Sequence, residues 1–223
     1  RMGHFAPTPW PDEPQDFGLQ PAPRRSAFAS CPQQLGLYAV LPDAVWVGRM
    51  ARAGVPTVQL RFKSDDCAAV AREVTAAVQA VQGTQALLFI NDHWQEALSL
   101  LHTVHRSNQT GSNSKIGLHL GQEDLLALTP AQQDHLLAHR EQIMLGLSSH
   151  SLWELARAAG CGASLIACGP VQPTTTKDMP WLAQGTDNLG WWIRHSPAPV
   201  VAIGGLLTPA DWPEIDAAFL DND

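Results

Sequence analysis

From Leu35 onward, short apolar runs alternate with stretches whose apolar residues recur at helical spacing. The runs at 35–41, 57–62, 86–90, 116–120, 143–147, 164–168 and 200–203 have the length of strands and the aliphatic and β-branched content that strands favour. Between them, 66–81, 94–104, 130–140 and 152–159 gather their apolar residues on one face at a 3.6-residue period. Strand followed by helix, repeated along the chain, predicts a parallel sheet built from βαβ units. A region of this length holds either a TIM (β/α)8 barrel or a doubly wound open sheet. Polar residues decide between them. Arg61, Asn91, Gln122, Ser148 and Gly205 stand at the C-terminal ends of five different predicted strands. In a barrel those ends converge on one face, where barrel enzymes work. A dinucleotide-binding open sheet would instead carry Gly-x-Gly-x-x-Gly after its first strand, where this chain reads Leu41-Pro42-Asp43. The expectation is a TIM barrel.

Residues 1–34 have a different texture. They are aperiodic and rich in proline (Pro7, Pro9, Pro11, Pro14, Pro21, Pro23), as a tail or linker is. The predicted organisation is therefore a tail over 1–34 and a barrel over 35–223. No apolar run reaches the roughly 20 residues that span a bilayer, and the first 34 residues lack the apolar core of a signal peptide. The chain of 223 residues carries 14 basic and 21 acidic residues, a net charge of −7. That balance argues against nucleic acid as a partner, although a local cluster of cations can still attract an anionic substrate into a cleft. Cys31, Cys67, Cys161 and Cys168 form no Cys-x-x-Cys pair, which fits structural thiols in a reducing, cytoplasmic setting.

The candidate chemistry begins at Val58–Lys63. Strict alternation puts Gln59, Arg61 and Lys63 on one face and Val58, Leu60 and Phe62 on the other. With helices packed outside, the polar set points into the barrel mouth, where a phosphate would partner the cations. A solvated strand edge with ordinary ion pairs is the plainer alternative. The next strand runs into Asn91-Asp92, which reads either as a helix cap or as an oxygen donor set. A second acidic cluster, Glu123-Asp124, follows the strand that carries His119. If Asp92 and Asp124 meet across the mouth, they could hold a magnesium ion already bound to a diphosphate. His119, between two leucines, reads as a hydrogen-bonded core histidine. The stretch 169–177 offers three hydroxyls and an ammonium on a proline-braced loop, either a phosphate lid or a polar surface loop. Gly204-Gly205 allows close backbone approach to a ligand. No nucleophile elbow, Walker loop or zinc signature is present.

Seven strings in order carry a family resemblance: Leu-Tyr-Ala-Val-Leu (37–41), Gln-Leu-Arg-Phe-Lys (59–63), Phe-Ile-Asn-Asp (89–92), His-Leu-Gly-Gln-Glu-Asp (119–124), Leu-Gly-Leu-Ser-Ser-His (145–150), Gly-Pro-Val-Gln-Pro-Thr-Thr-Thr-Lys (169–177) and Ala-Ile-Gly-Gly-Leu (202–206). Together they resemble the thiamine phosphate synthase family. The resemblance implies a TIM barrel that joins hydroxymethylpyrimidine diphosphate to a thiazole phosphate, releasing diphosphate. It implies a dissociative reaction assisted by Mg2+. Carried over by position, Gln59, Arg61, Lys63 and Asn91 would hold the diphosphate, and Asp92 and Asp124 the magnesium. Ser148 and Lys177 would contact the departing group, while Thr174, Thr176 and Gly205 would face the thiazole phosphate. Arg61, Lys63, Ser148 and Lys177 are the expected catalytic set.

Three departures from the family pattern stand out. Residues 105–115 replace a short turn and read as a flexible loop, and Gln172 takes a position that is usually aromatic. The eighth strand of the barrel has no counterpart before Asp223, so the native chain is expected to continue. Two alternatives remain: a thiazole tautomerase sibling, against which the retained cations and carboxylates argue, and a non-catalytic binder of a thiamine precursor. Oligomeric state leaves no mark in the sequence.

Overall fold

The computed structural model describes residues 27–107, 116–174, 182–206 and 208–220. Seven strands form one parallel sheet in chain order: β1 (Tyr38–Leu41), β2 (Thr57–Leu60), β3 (Leu87–Asn91), β4 (Ile116–Leu120), β5 (Met144–Ser149), β6 (Leu165–Cys168) and β7 (Val200–Ala202). Helices fill the connections: α1 (Ala44–Arg52), α2 (Cys67–Ala80), α3 (Trp94–Ser107), α4 (Gln122–Ala127), α5 (Pro130–Ala138), α6 (Leu152–Gly160) and α7 (Gly185–His195), with α8 (Trp212–Leu220) after β7. The sheet is rolled, not open. Tyr38 on β1 and His119 on β4 are three strands apart in the order, about 14 Å in a flat sheet, yet their polar atoms lie 2.9 Å apart across the interior. The architecture is a nearly closed TIM-like barrel of seven parallel strands. Among the described residues there is no eighth strand, and β1 and β7 do not pair.

Period two along each strand sorts the core into two layers. Outward residues such as Val58, Leu60, Leu88, Ile90, Leu118, Leu145, Leu147 and Ile166 pack with the helices in one large apolar cluster. Inward residues Phe89, Met144, Leu165, Ala167 and Val201 form a second cluster inside the barrel, closed from below by Cys31 and Leu35. Two glycines make room within it. A Cβ on Gly117 would collide with the Phe89 ring, and one on Gly146 would stand 3.0 Å from His119 Nδ1.

Several element ends differ from the sequence expectation. The first strand begins at Tyr38 rather than residue 35, because Gly36 takes φ +61° and interrupts the extended backbone. The second ends at Leu60 rather than residue 62, so Arg61, Phe62 and Lys63 lie beyond it, although Arg61 N still donates to Leu41 O. Its neighbour stops at Leu41 and turns into α1, which Asp43 caps by accepting from Trp46 N, so the ladder runs out. Residues 27–34, placed by sequence in the tail, include the buried Phe28 and Cys31. Phe28 N donates to Gly162 O, and Ala29 N to the carbonyls of Arg140 and Ile143. No helix among the described residues is long and apolar enough to cross a membrane.

Candidate active site

The C-terminal strand ends gather the predicted residues around one mouth. Gln59 (β2), Asn91 (β3), His119 (β4) and Ser148 (β5) all occupy inward positions, as does Tyr38 on β1. Gln59 is 4% exposed, and both ends of its amide are hydrogen-bonded. Its Nε2 donates to Asn91 Oδ1 at 2.9 Å, and its Oε1 accepts from the Tyr38 hydroxyl at 2.9 Å. Asn91 is half-buried, and the bond from Gln59 leaves its amide nitrogen as a donor toward the mouth. His119 bridges the same Tyr38 oxygen, through Nδ1, to Ser148 Oγ, through Nε2, each at 2.9 Å. Burial holds its pKa down to about 4, against a smaller opposing pull from Asp92, so the ring is neutral at physiological pH. The histidine read from sequence as a core residue is one, and it is also part of the wall of the site.

Arg61 follows β2 by one residue, beside Asn91 in the register that pairs Leu60 with Ile90. It is half-buried and has no carboxylate partner among the described residues. Lys63, more exposed, donates to Asp92 Oδ2 at 2.8 Å. Asp92 adopts φ +63°, the one non-glycine residue with positive φ among those described. Such backbone is uncommon outside glycine, asparagine and aspartate, and it lets the chain turn between β3 and α3. The Asp92 carboxylate accepts from Lys63, and its backbone carbonyl accepts from Trp94 N at the start of α3.

Asp124 lies in α4, a six-residue helix where the sequence pattern shows only an acidic cluster. Its Oδ2 accepts from Gly121 N at 3.0 Å, closing the first turn. Its pKa is raised, first by partial burial and then by the Asp92 carboxylate facing it, while the Gly121 N–H works the other way. The two acidic side chains therefore do meet. Two hard oxygen donors that repel each other suit a divalent cation that completes its shell with phosphate and water, as magnesium does. Among the described residues no group of three or more His, Cys, Asp or Glu could hold a metal by itself.

The loops after β6 and β7 are stitched together. Val171 N donates to Ile203 O and Gln172 N to Gly204 O, and the Gly169–Pro170 peptide is cis. Gly204 and Gly205 have φ of +87° and +75°, and a Cβ on Gly205 would lie 2.6 Å from Gln172 O. Packing thus demands glycine here, whatever Gly205 also does for a ligand. Thr174 is half-buried beyond this stitch. Thr176, Lys177 and most of the stretch at 105–115 lie outside the described residues, although α3 continues to Ser107.

Two residues of the site escaped the sequence reading or were undervalued by it. Tyr38 lies within the apolar run of β1, whose pattern carries no polar signal. Gln122, 3% exposed, holds the site from behind: its Nε2 reaches Ser148 O and Ser149 Oγ at 3.1 Å and Glu154 O at 3.4 Å, and its Oε1 accepts from Arg157 at 2.8 Å. A polar residue straight after a strand-ending glycine was the one available signal.

The thiamine monophosphate synthase family model matches residues 37–218. A thiamine-phosphate synthase from Neisseria meningitidis serogroup B is 42% identical over 180 residues, covering 80% of this chain and 79% of that one. Another, from Yersinia pestis, is 40% identical over 180 residues, covering 80% and 75%. Among solved structures, a thiamine phosphate pyrophosphorylase from Pyrococcus furiosus superposes with a TM-score of 0.63 at 24% identity, over 82% of this chain and 81% of that one, which supports the fold. With the family model spanning four-fifths of its length, this chain belongs to the thiamine monophosphate synthase family.

Proposed function

We propose that the protein makes thiamine phosphate by joining hydroxymethylpyrimidine diphosphate to a thiazole phosphate. The bond between the pyrimidine methylene carbon and the diphosphate oxygen breaks, and its electron pair leaves with the diphosphate. The thiazole nitrogen then donates its lone pair to the methylene carbon, forming the new C–N bond and a cationic thiazolium. No proton need move. The barrier is the charge that builds on the leaving diphosphate, and preorganised donors aimed at that charge are what lower it.

The observation that carries this reading is Arg61. A half-buried guanidinium at a strand end, without a carboxylate partner among the described residues, suits an anion that arrives with the substrate. In the proposed complex Arg61 binds the diphosphate, and Lys63 turns to it from Asp92. Ser148 binds it from β5, and Asn91, hydrogen-bonded to Gln59, lines the mouth beside it from β3. Asp92 and Asp124 fit Mg2+, which when bound neutralises charge on the leaving group. Thr174, Thr176 and Gly205 are assigned to the thiazole phosphate and Lys177 to the leaving diphosphate. Four free thiols suit a cytoplasmic setting for this chemistry.

The test is direct. Protein incubated with both substrates should form thiamine phosphate with magnesium present and stop when a chelator is added. Arg61→Ala should lower kcat/KM by about a hundredfold or more, the usual cost of removing one donor to developing charge. Binding of pyrimidine diphosphate without product would reject catalysis and leave a binding protein.

A further inference from the structure

Five polar side chains from five strands form an unbroken row across the mouth: Ser148, His119, Tyr38, Gln59 and Asn91, each 2.9 Å from the next. The proton count fixes its direction. The single Tyr38 hydroxyl proton goes to Gln59 Oε1, so the second contact of that oxygen must be filled by a donor, the His119 Nδ1–H. A neutral imidazole has one such proton. His119 Nε2 is therefore bare and accepts from the Ser148 hydroxyl. Every link points one way, from Ser148 toward Asn91. At its ends the row offers a hydroxyl oxygen, an acceptor, and an amide NH2, a donor.

One other arrangement satisfies every link of the row. With each link reversed, Asn91 donates to Gln59, Gln59 to Tyr38, Tyr38 to His119 Nδ1, and His119 Nε2–H to Ser148. The Ser148 proton then points outward, and Asn91 presents its oxygen. Any mixture of the two sets two donors or two acceptors face to face around the buried Gln59 and His119, which is costly. Each residue holds the same number of protons in both states, so the reversal changes no charge; protons exchange with water at the mouth. An anion needs a donor from Ser148, which the first state denies it.

We propose that Tyr38 and His119 are positioning residues, and that an anion bound at Ser148 reverses the whole row and thereby turns the Asn91 amide. This rests on the reading of Ser148 as a diphosphate contact. Gly146 supports it from the packing side, since a Cβ there would crowd the ring nitrogen that must change tautomer.

The experiment follows the ring nitrogens of His119 by NMR in protein labelled with 15N-histidine, His119→Gln identifying the signals. Free protein should show a protonated Nδ1. Inorganic pyrophosphate with magnesium should move the proton to Nε2. Tyr38→Phe, which keeps the ring beside Phe89, should abolish that exchange and weaken pyrophosphate about fivefold, the worth of one hydrogen bond. Pyrophosphate binding that depends on Ser148 but leaves the tautomer unmoved overturns the relay alone. Binding that Ser148→Ala does not weaken overturns both the relay and the diphosphate contact beneath it.

Discussion

A buried imidazole that donates to a tyrosine on one nitrogen and accepts a serine on the other must stay neutral, and acid works against it. The His119 pKa falls from 6.5 to about 4 on folding, so between those values the unfolded chain takes a proton that the folded chain refuses. Its contribution to stability is whole above pH 6.5 and is lost as pH falls toward 4, a change of about 3 kcal/mol. Asp124 works with the opposite sign, because its raised pKa lets the folded state take up a proton first. Urea unfolding of wild type and His119→Gln at pH 7 and pH 4 separates the two, since Asp124 is common to both proteins. The gap between them should narrow in acid by about 3 kcal/mol; an unchanged gap would mean that His119 charges freely in the fold. The carboxylates allow a second test at the same scale. Asp92→Asn removes one of two repelling charges, so the Asp124 pKa should fall while magnesium binding weakens. The magnesium needed for half-maximal product formation should rise by at least the roughly tenfold that even outer-shell changes cost.

At the level of elements, α4 and α6 hold the site from behind. Gln122, the first residue of α4, ties the β5 carbonyl of Ser148 to the α6 carbonyl of Glu154 and accepts from Arg157. Gln122→Leu keeps the bulk but leaves the Arg157 guanidinium and the buried Ser149 hydroxyl short of a partner. It should cost about 1–3 kcal/mol by urea midpoint. Because Ser148 is held through its carbonyl, KM for the pyrimidine diphosphate should rise as well. A stability loss with KM unchanged would show that α4 only supports the fold. Little of this was legible in the chain. Apolar runs located all seven strands, because a strand buried on both faces must be apolar where the helices press on it. Six-residue α4 was not legible, since it is too short for a period and its first turn is closed by a carboxylate that also reads as a metal ligand. The strand limits at Tyr38 and Leu60 depend on Gly36 and on the neighbouring strand ending, neither of which composition records. His119 reads as a hydrogen-bonded core histidine and is one, but burial between leucines is also what a neutral bridge in the site wall needs, so core and site look alike in sequence.

Over the whole molecule, the segment before β1 matters because a barrel open at its base would expose its inner core. Cys31 and Leu35 are buried there, Phe28 just before them packs into the outer cluster, and Cys31 Sγ lies 3.3 Å from Met144 Sδ inside the barrel. Burial pushes the thiols of both Cys31 and Cys168 up to about 12, so neither reacts while covered. Cys67, exposed at the start of α2, serves as the control. The plug is held by a few backbone hydrogen bonds and the Phe28 ring, whereas Cys168 sits on β6 between two strands. Segments with few contacts open more readily than central strands. A maleimide at pH 8 should therefore label Cys67 at once, Cys31 through opening of the plug, and Cys168 only on global unfolding. Phe28→Ala removes at least about 2 kcal/mol of packing, so Cys31 labelling should accelerate about thirtyfold while Cys168 stays slow. Phe89 and Met144 separate the plug from the Ser148–Asn91 row, so turnover should be unaffected. Equal acceleration of Cys31 and Cys168 would mean that the plug and barrel unfold as one unit. Unequal acceleration would make the residues before β1 a separate part of the fold, added beneath a site that functions without their motion.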